Sequence, residues 1–344
     1  MSVLFLAICA LLSCSHADDE KDVVPTSLPK LYVHYGVMSS RLPNGSRCAD
    51  IYINQHLNDS TDYGMRFCNK ENTLNRNFDF YQLYLLDGGK PKPSDCHSVN
   101  SDAYHFMAGH ETDYIVAMQL YAAHNADGDF PDATTLFTGG FHGYNSETSG
   151  NFTPTMYEVG KAVYADGKPI APNTSVYCDS VRVVVENMLQ GANTEKADGS
   201  GRYILKQTIT LTCKGGDYNI EVGLTPVEDI YFRQVNGLCF YNNFDKISFI
   251  GSKTHTGTYG KKQVTRADKC VTSIRQSNGD YFFDVFMAPE YGIGNQQYND
   301  DQFNASIESA GKSYFQLIYR NNGLLVPSGK SLHFRGGYRF GSSR

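Results

Sequence analysis

Tryptophan is absent from this chain, and charge is sparse: Asp, Glu, Lys and Arg make up 19% of its 344 residues. The 36 acidic and 30 basic residues leave a formal charge of -6, without the concentrated basic excess that a nucleic-acid-binding face requires. No C-x-x-C pair occurs, which argues against zinc ribbons and thioredoxin-like redox sites. A P-loop, a dinucleotide fingerprint and a G-x-S-x-G elbow are missing as well. Helical periodicity is scarce, and no repeat of fixed period appears.

What is abundant is Tyr (24), Phe (20) and Gly (32), within a chain that is 41% hydrophobic. That composition belongs to a globular protein rather than to a disordered tail or a membrane bundle. With tryptophan absent, Tyr and Phe are the side chains available for stacking on a ligand.

The N-terminal apolar run, Val3 to Leu12, is too short to span a bilayer and stands where a signal peptide belongs. Ser15-His16-Ala17 reads as a cleavage site, so the expectation is a signal peptide over 1–17 and a mature chain over 18–344. Leu11-Leu12-Ser13-Cys14 reads instead as a lipobox that would lipidate Cys14 and anchor the protein to a membrane surface. Either way the expected location is extracellular or at the cell surface. Setting aside Cys9 and Cys14 from nine cysteines leaves an odd number, so at least one stays unpaired or pairs between chains. Cys48 and Cys68 lie in a polar stretch as a candidate pair.

Period-two alternation dominates the rest, the mark of half-buried strands. The clearest case runs from Tyr203 to Thr225, where two alternating segments flank Lys214-Gly215-Gly216-Asp217. Hairpins are also expected around Asn278-Gly279 and Asn322-Gly323. Further strands are read at 31–38, 78–86, 114–121, 134–138, 176–185, 230–240 and 332–340, and a short surface helix over 301–310. The stretch 45–77 is polar and reads as an N-terminal elaboration. Together these predict an all-β protein: one large antiparallel β-sandwich or jelly roll with few short helices.

One segment draws attention chemically: Phe137-Thr138-Gly139-Gly140-Phe141-His142-Gly143-Tyr144-Asn145. Glycines allow a tight turn and close approach of a ligand to the backbone. An imidazole beside a phenol suits proton transfer near neutral pH. A glycine bulge whose His and Tyr serve the sheet is the structural alternative. This run, with residues 164–170 and the C-terminal 312–340, resembles exported or phage-borne β-jelly-roll proteins with a Gly-Gly-x-His-Gly loop. In outline these are similar to jelly-roll polysaccharide lyases. Tyr314-Phe315-Gln316-Leu317-Ile318-Tyr319 is similar to a strand of alginate lyases, but it differs in spacing and lacks their Lys and Gly.

The resemblance implies β-elimination on an acidic polysaccharide, with His142 and Tyr144 moving protons and Arg233 neutralising the uronate carboxylate. Asn145 joins them as a substrate-binding candidate, as do Lys253, His255, Tyr259 and Lys261 from the locally basic stretch 253–269. The alternative function is a surface glycan-binding or adhesive module without catalysis. Glu111 and Asp113 resemble part of a glycosidase acid motif, but the third acid is missing. No cofactor is expected. Residues 125–132 space oxygen atoms as a calcium loop does, so a structural calcium and an ordinary acidic turn both remain open. The expected partner is an anionic polysaccharide, with no nucleic acid, and with a membrane only through a lipid anchor.

Overall fold

The computed structural model describes residues 31–42, 44–58, 61–69, 78–87, 104–109, 117–124, 137–140, 142–144, 153–196, 199–254, 257–289, 298–299 and 303–342. These residues form an all-β sandwich, as the alternation predicts. Its backbone is a ten-stranded antiparallel sheet. In spatial order the strands are β10 (Lys168–Pro169), β9 (Met156–Ala165), β12 (Val181–Gln190), β13 (Tyr203–Lys214) and β14 (Asp217–Pro226). The order continues through β24 (Leu332–Ser342), β20 (Tyr281–Met287), β19 (Ser273–Ser277), β16 (Lys246–Ile250) and β17 (Thr258–Gly260).

Two smaller sheets pack on its inner face. One has the order β11 (Thr174–Cys178), β1 (Leu31–Arg41), β2 (Arg47–Asn58), β3 (Thr61–Asn69), β4 (Phe78–Asp87) and β5 (Tyr104–Gly109). The other has β18 (Thr265–Asp268), β22 (Phe303–Ile307), β23 (Lys312–Val326), β15 (Ile230–Tyr241) and β6 (Met118–Ala122), with β21 (Tyr298–Asn299) also on β23. The stretch read as an elaboration supplies β2 and β3, whose Ile51, Ile53, Met65 and Phe67 belong to the common core.

Aromatic side chains fill the space between the layers. Phe80 of β4 stacks on Tyr338 of β24 at 5.2 Å and lies 5.7 Å from Phe283 of β20. Phe240 of β15 meets the same Phe283 at 5.7 Å, so both small sheets converge on one aromatic cluster. The buried phenols also bond across the layers. Tyr63 donates to the Gly216 carbonyl at 2.8 Å, Tyr218 to that of Ile53 at 2.8 Å, and Tyr338 to that of Cys239 at 2.9 Å. Tyrosine thus provides apolar bulk and, at its tip, a partner for a buried carbonyl.

Local turn chemistry explains the hairpins. β13 and β14 meet at Lys214↔Asp217, with Gly215 and Gly216 at φ of 68° and 105°. Two positive φ values in succession define the tight turn that matches strand twist, and glycine adopts them without steric cost. The Asn278-Gly279 hairpin forms as predicted, joining β19 to β20 with Gly279 at φ 99°.

Three expectations fail. The surface helix read over 301–310 does not form in its described part: Phe303–Ile307 is strand β22, buried along its whole length between β18 and β23. Asn322-Gly323 is no hairpin, because Tyr319 pairs with Gln234 and Leu324 with Phe232 on the same strand, β15. Residues 320–323 therefore bulge out opposite Arg233 within one long strand, and Gly323 at φ 70° accommodates the bulge. The strand expected over 176–185 divides: β11 pairs with β1 in a small sheet, while β12 joins the large one.

Candidate functional site

His142 sits in a tight turn beside the two-stranded pair β7 (Gly143–Tyr144) and β8 (Thr153–Pro154). Gly139 and Gly140 take φ of 75° and 54°, so here the glycines do serve a left-handed turn. The His142 amide donates to the Gly139 carbonyl at 3.0 Å, and the His142 carbonyl accepts from the Thr155 hydroxyl at 2.6 Å. The half-exposed imidazole lies 5.2 Å from the Phe137 ring. Arg233 is on β15, with β6 between it and this turn, since Val235 pairs with Met118 and Met118 with Thr138. The Tyr144 side chain, Asn145 and His255 lie outside the described residues, as do Glu111, Asp113 and the acidic stretch 125–132.

The basic stretch does not present one face. β17 closes the far edge of the large sheet while β18 belongs to a small one, so the segment crosses between layers. Tyr259 packs on Phe249 at 5.7 Å, and Lys261 stands 3.8 Å from the Asp245 carboxylate, both charged groups being largely exposed. Lys253 is exposed, and its backbone amide donates to Asp268 at 2.8 Å. Thr155 leads directly into β9, so this cluster and the His142 turn lie near opposite edges of the large sheet. Eight strand steps separate β9 from β17, about 38 Å along the sheet at ~4.8 Å each.

Cys48 and Cys68, read as a candidate pair, are buried thiols, and Cys178, Cys213, Cys239 and Cys270 also carry thiols rather than disulfides. Among the described residues no group of three or more His, Cys, Asp or Glu side chains is placed to hold a metal ion.

The outer face of the large sheet offers a concave site that the sequence reading missed. A cavity of about 320 Å³ opens there, and Thr210, Thr212, Asn219, Glu221, Phe286 and Arg335 help to line it. Residues directly opposed on neighbouring strands share a face. One row of such partners runs Arg182, Thr212, Asn219, Gly337, Phe286 across β12, β13, β14, β24 and β20. The next row runs Thr210, Glu221, Arg335.

Gly337 shapes the floor. A Cβ there would come within 2.3 Å of the Tyr218 carbonyl and 2.6 Å of the Phe286 ring. The ring therefore leans into space that any other residue would occupy. The site holds an aromatic surface, hydroxyls, an amide, a carboxylate and a guanidinium. Such a set gives and accepts hydrogen bonds around an apolar patch. The signal was present in the β13–β14 hairpin as its outward Thr and Asn residues, but their long-range neighbours Phe286 and Arg335 are not legible from that segment.

No family model matches this chain, and no curated protein does. Among solved structures, the galactosidase domain of alpha-galactosidase-sucrose kinase, AgaSK, matches over 85% of this chain and 40% of its own length. The two are 10% identical and superpose with a TM-score of 0.36. A likeness this slight carries no activity from that enzyme to this chain.

Proposed function

We propose that this protein is a carbohydrate-binding β-sandwich that holds a glycan on the outer face of its ten-stranded sheet. The observation that carries this reading is the cavity beside Phe286, where a half-exposed ring stands among Thr210, Thr212, Asn219, Glu221 and Arg335. A sugar ring has an apolar C–H face and a rim of hydroxyls that each donate and accept. An aromatic side chain meets the first, and a mixed set of amide, hydroxyl and carboxylate groups meets the second. Titration calorimetry against a panel of neutral and acidic oligosaccharides tests the reading. Binding is expected with at least one of them, weakened about tenfold or more by Phe286→Ala. Unchanged affinity in that variant would move the site elsewhere.

A second reading, β-elimination on a uronate polysaccharide, is favoured by the His142 turn, whose two left-handed glycines hold a half-exposed imidazole against Phe137. In that scheme His142 and Tyr144 exchange the protons and Arg233 neutralises the carboxylate. Release of an unsaturated, ultraviolet-absorbing product that vanishes in His142→Ala would establish it; a binder releases none. Export to the cell surface belongs to the same proposal. Mass spectrometry of the protein from its native host tests it by reading a mature N-terminus at Asp18 or a lipidated Cys14.

A further inference from the structure

Several charges on the outer face of the large sheet are paired. Glu186 meets Lys206 at 2.8 Å. Asp217 takes both nitrogens of a fork from Arg339 at 2.6 Å each, and Asp284 takes the same from Arg275 at 2.7 Å each. Glu221 stands directly opposite Arg335. Arg182, like Lys214 and Lys246 on the same face, has no carboxylate partner among the described residues. Its exposed guanidinium lies over the ring of Tyr164, 4.4 Å from the centroid.

Its position matters as much as its charge. Arg182 is one strand step from Thr212, which lines the cavity, and it lies in the same cross-sheet row as Asn219 and Phe286. From Tyr164 on β9 to Phe286 on β20 the row crosses five strand steps, about 24 Å at ~4.8 Å per step. A half-exposed aromatic stands at each end, and the small or polar residues Thr212, Asn219 and Gly337 lie between.

We infer that this row is an extended subsite for an acidic oligosaccharide, with a uronate carboxylate received by Arg182 at the Tyr164 end. The inference rests on the glycan-binding reading and adds the ligand's length, direction and charge. A planar guanidinium presents two parallel N–H groups that fit the two oxygens of a carboxylate, and stacking on Tyr164 holds that fork in place before the ligand arrives. The ligand runs across the strands rather than along them. Glu186, Asp217 and Asp284 are already paired with cations, and Glu221 faces Arg335, so a free cation on this face is what an anionic ligand would meet.

The test compares the wild type with Arg182→Gln, an exposed substitution whose fold is checked by circular dichroism. The probes are an oligogalacturonate, a neutral galacto-oligosaccharide of the same length and a sulfated one, each titrated at low and at physiological salt. Wild type is expected to prefer the oligogalacturonate over the neutral ligand by roughly tenfold or more. Arg182→Gln should abolish that preference, the uronate ligand losing far more affinity than the neutral one, while Phe286→Ala weakens both ligands. A preference that survives in Arg182→Gln would overturn the assignment, as would a wild type indifferent to charge. Tighter Arg182-dependent binding of the sulfated probe would replace the carboxylate with a sulfate ester. If neutral and uronate ligands all fail to bind, the glycan reading itself falls. Neutral binding without any Arg182 effect removes the acidic subsite alone.

Discussion

The phenolic hydroxyl of Tyr338 donates to the main-chain carbonyl of Cys239 at 2.9 Å, joining the large sheet to the small sheet that contains β15. Both residues are buried, so no water replaces this bond when it is removed. Tyr338→Phe keeps the ring stacked on Phe80 but leaves the carbonyl without that donor. A loss of about 1 kcal/mol is expected, read as a lower urea midpoint at unchanged slope.

A buried ion pair ties β9 to the other small sheet. Lys161 and Glu158 approach to 2.7 Å with side chains almost wholly buried, and Asn69 of β3 donates to the same Glu158 oxygen at 2.9 Å. Burial pulls the Lys161 ammonium below the usual lysine range, although Glu158 opposes the shift. Glu158→Gln leaves a buried cation without its counter-charge and should cost about 3–5 kcal/mol. The double variant Glu158→Leu/Lys161→Met should be less destabilised than Glu158→Gln, because no lone charge remains. Chemical denaturation of the two variants checks the order.

Asp268 gathers the loop that follows β16. Its carboxylate accepts from the Ser252 hydroxyl, the Lys253 amide, the Thr254 amide and hydroxyl, and the Cys270 amide, at 2.7–2.9 Å. Burial would raise its pKa, but the bonds from Thr254, Cys270 and Ser252 outweigh that and hold it well below the ordinary carboxylate value of 3.8. A depressed folded pKa means that the stabilisation is complete above the unfolded value and is lost as pH falls from there through the folded one. Asp268→Asn should therefore lower stability at neutral pH. The gap from wild type should shrink below about pH 4, measured as Tm across an acid series.

Thiol reactivity should follow burial. Cys48, Cys68, Cys178, Cys213 and Cys239 are buried, and desolvation pushes Cys178 up to about 12 and Cys213 higher still. Cys270 is partly exposed, so among the described thiols it should be alkylated first under native conditions. Peptide mapping after brief iodoacetamide treatment reads the order; early labelling of Cys213 would contradict it.

The cavity floor is equally testable. Gly337→Ala drives a methyl into the Tyr218 carbonyl, which is held in the β14–β24 pairing, and pushes the Phe286 ring out of its place. Stability should fall by about 1–3 kcal/mol, and the displaced ring should weaken glycan binding in parallel.

Much of this architecture was open to reading from sequence because its causes are local. Alternation in Leu205–Cys213 and Tyr218–Leu224 puts the apolar side chains on one face, and Gly215-Gly216 can adopt the two positive φ values that reverse the chain. Those facts determined the class of fold and the hairpins at 214–217 and 278–279. Local signals could not say which strand a segment would choose as its neighbour. Asn322-Gly323 has the composition of a reverse turn, yet it became a bulge because both of its flanks found β15. Residues 303–307 gave up a helical reading because two flanking strands could satisfy their backbone.

The same division governs the candidate site. The Gly139-Gly140-His142 turn was visible because a glycine turn announces itself within a few residues. The outer-face row was not, since Arg182 meets Tyr164, and Phe286 meets Gly337, only when strands distant in sequence lie side by side. Residue order by itself determined that this chain would fold into sheets with one wet face and one dry. Long-range pairing, which no local period encodes, decided which side chains stand together on the wet one.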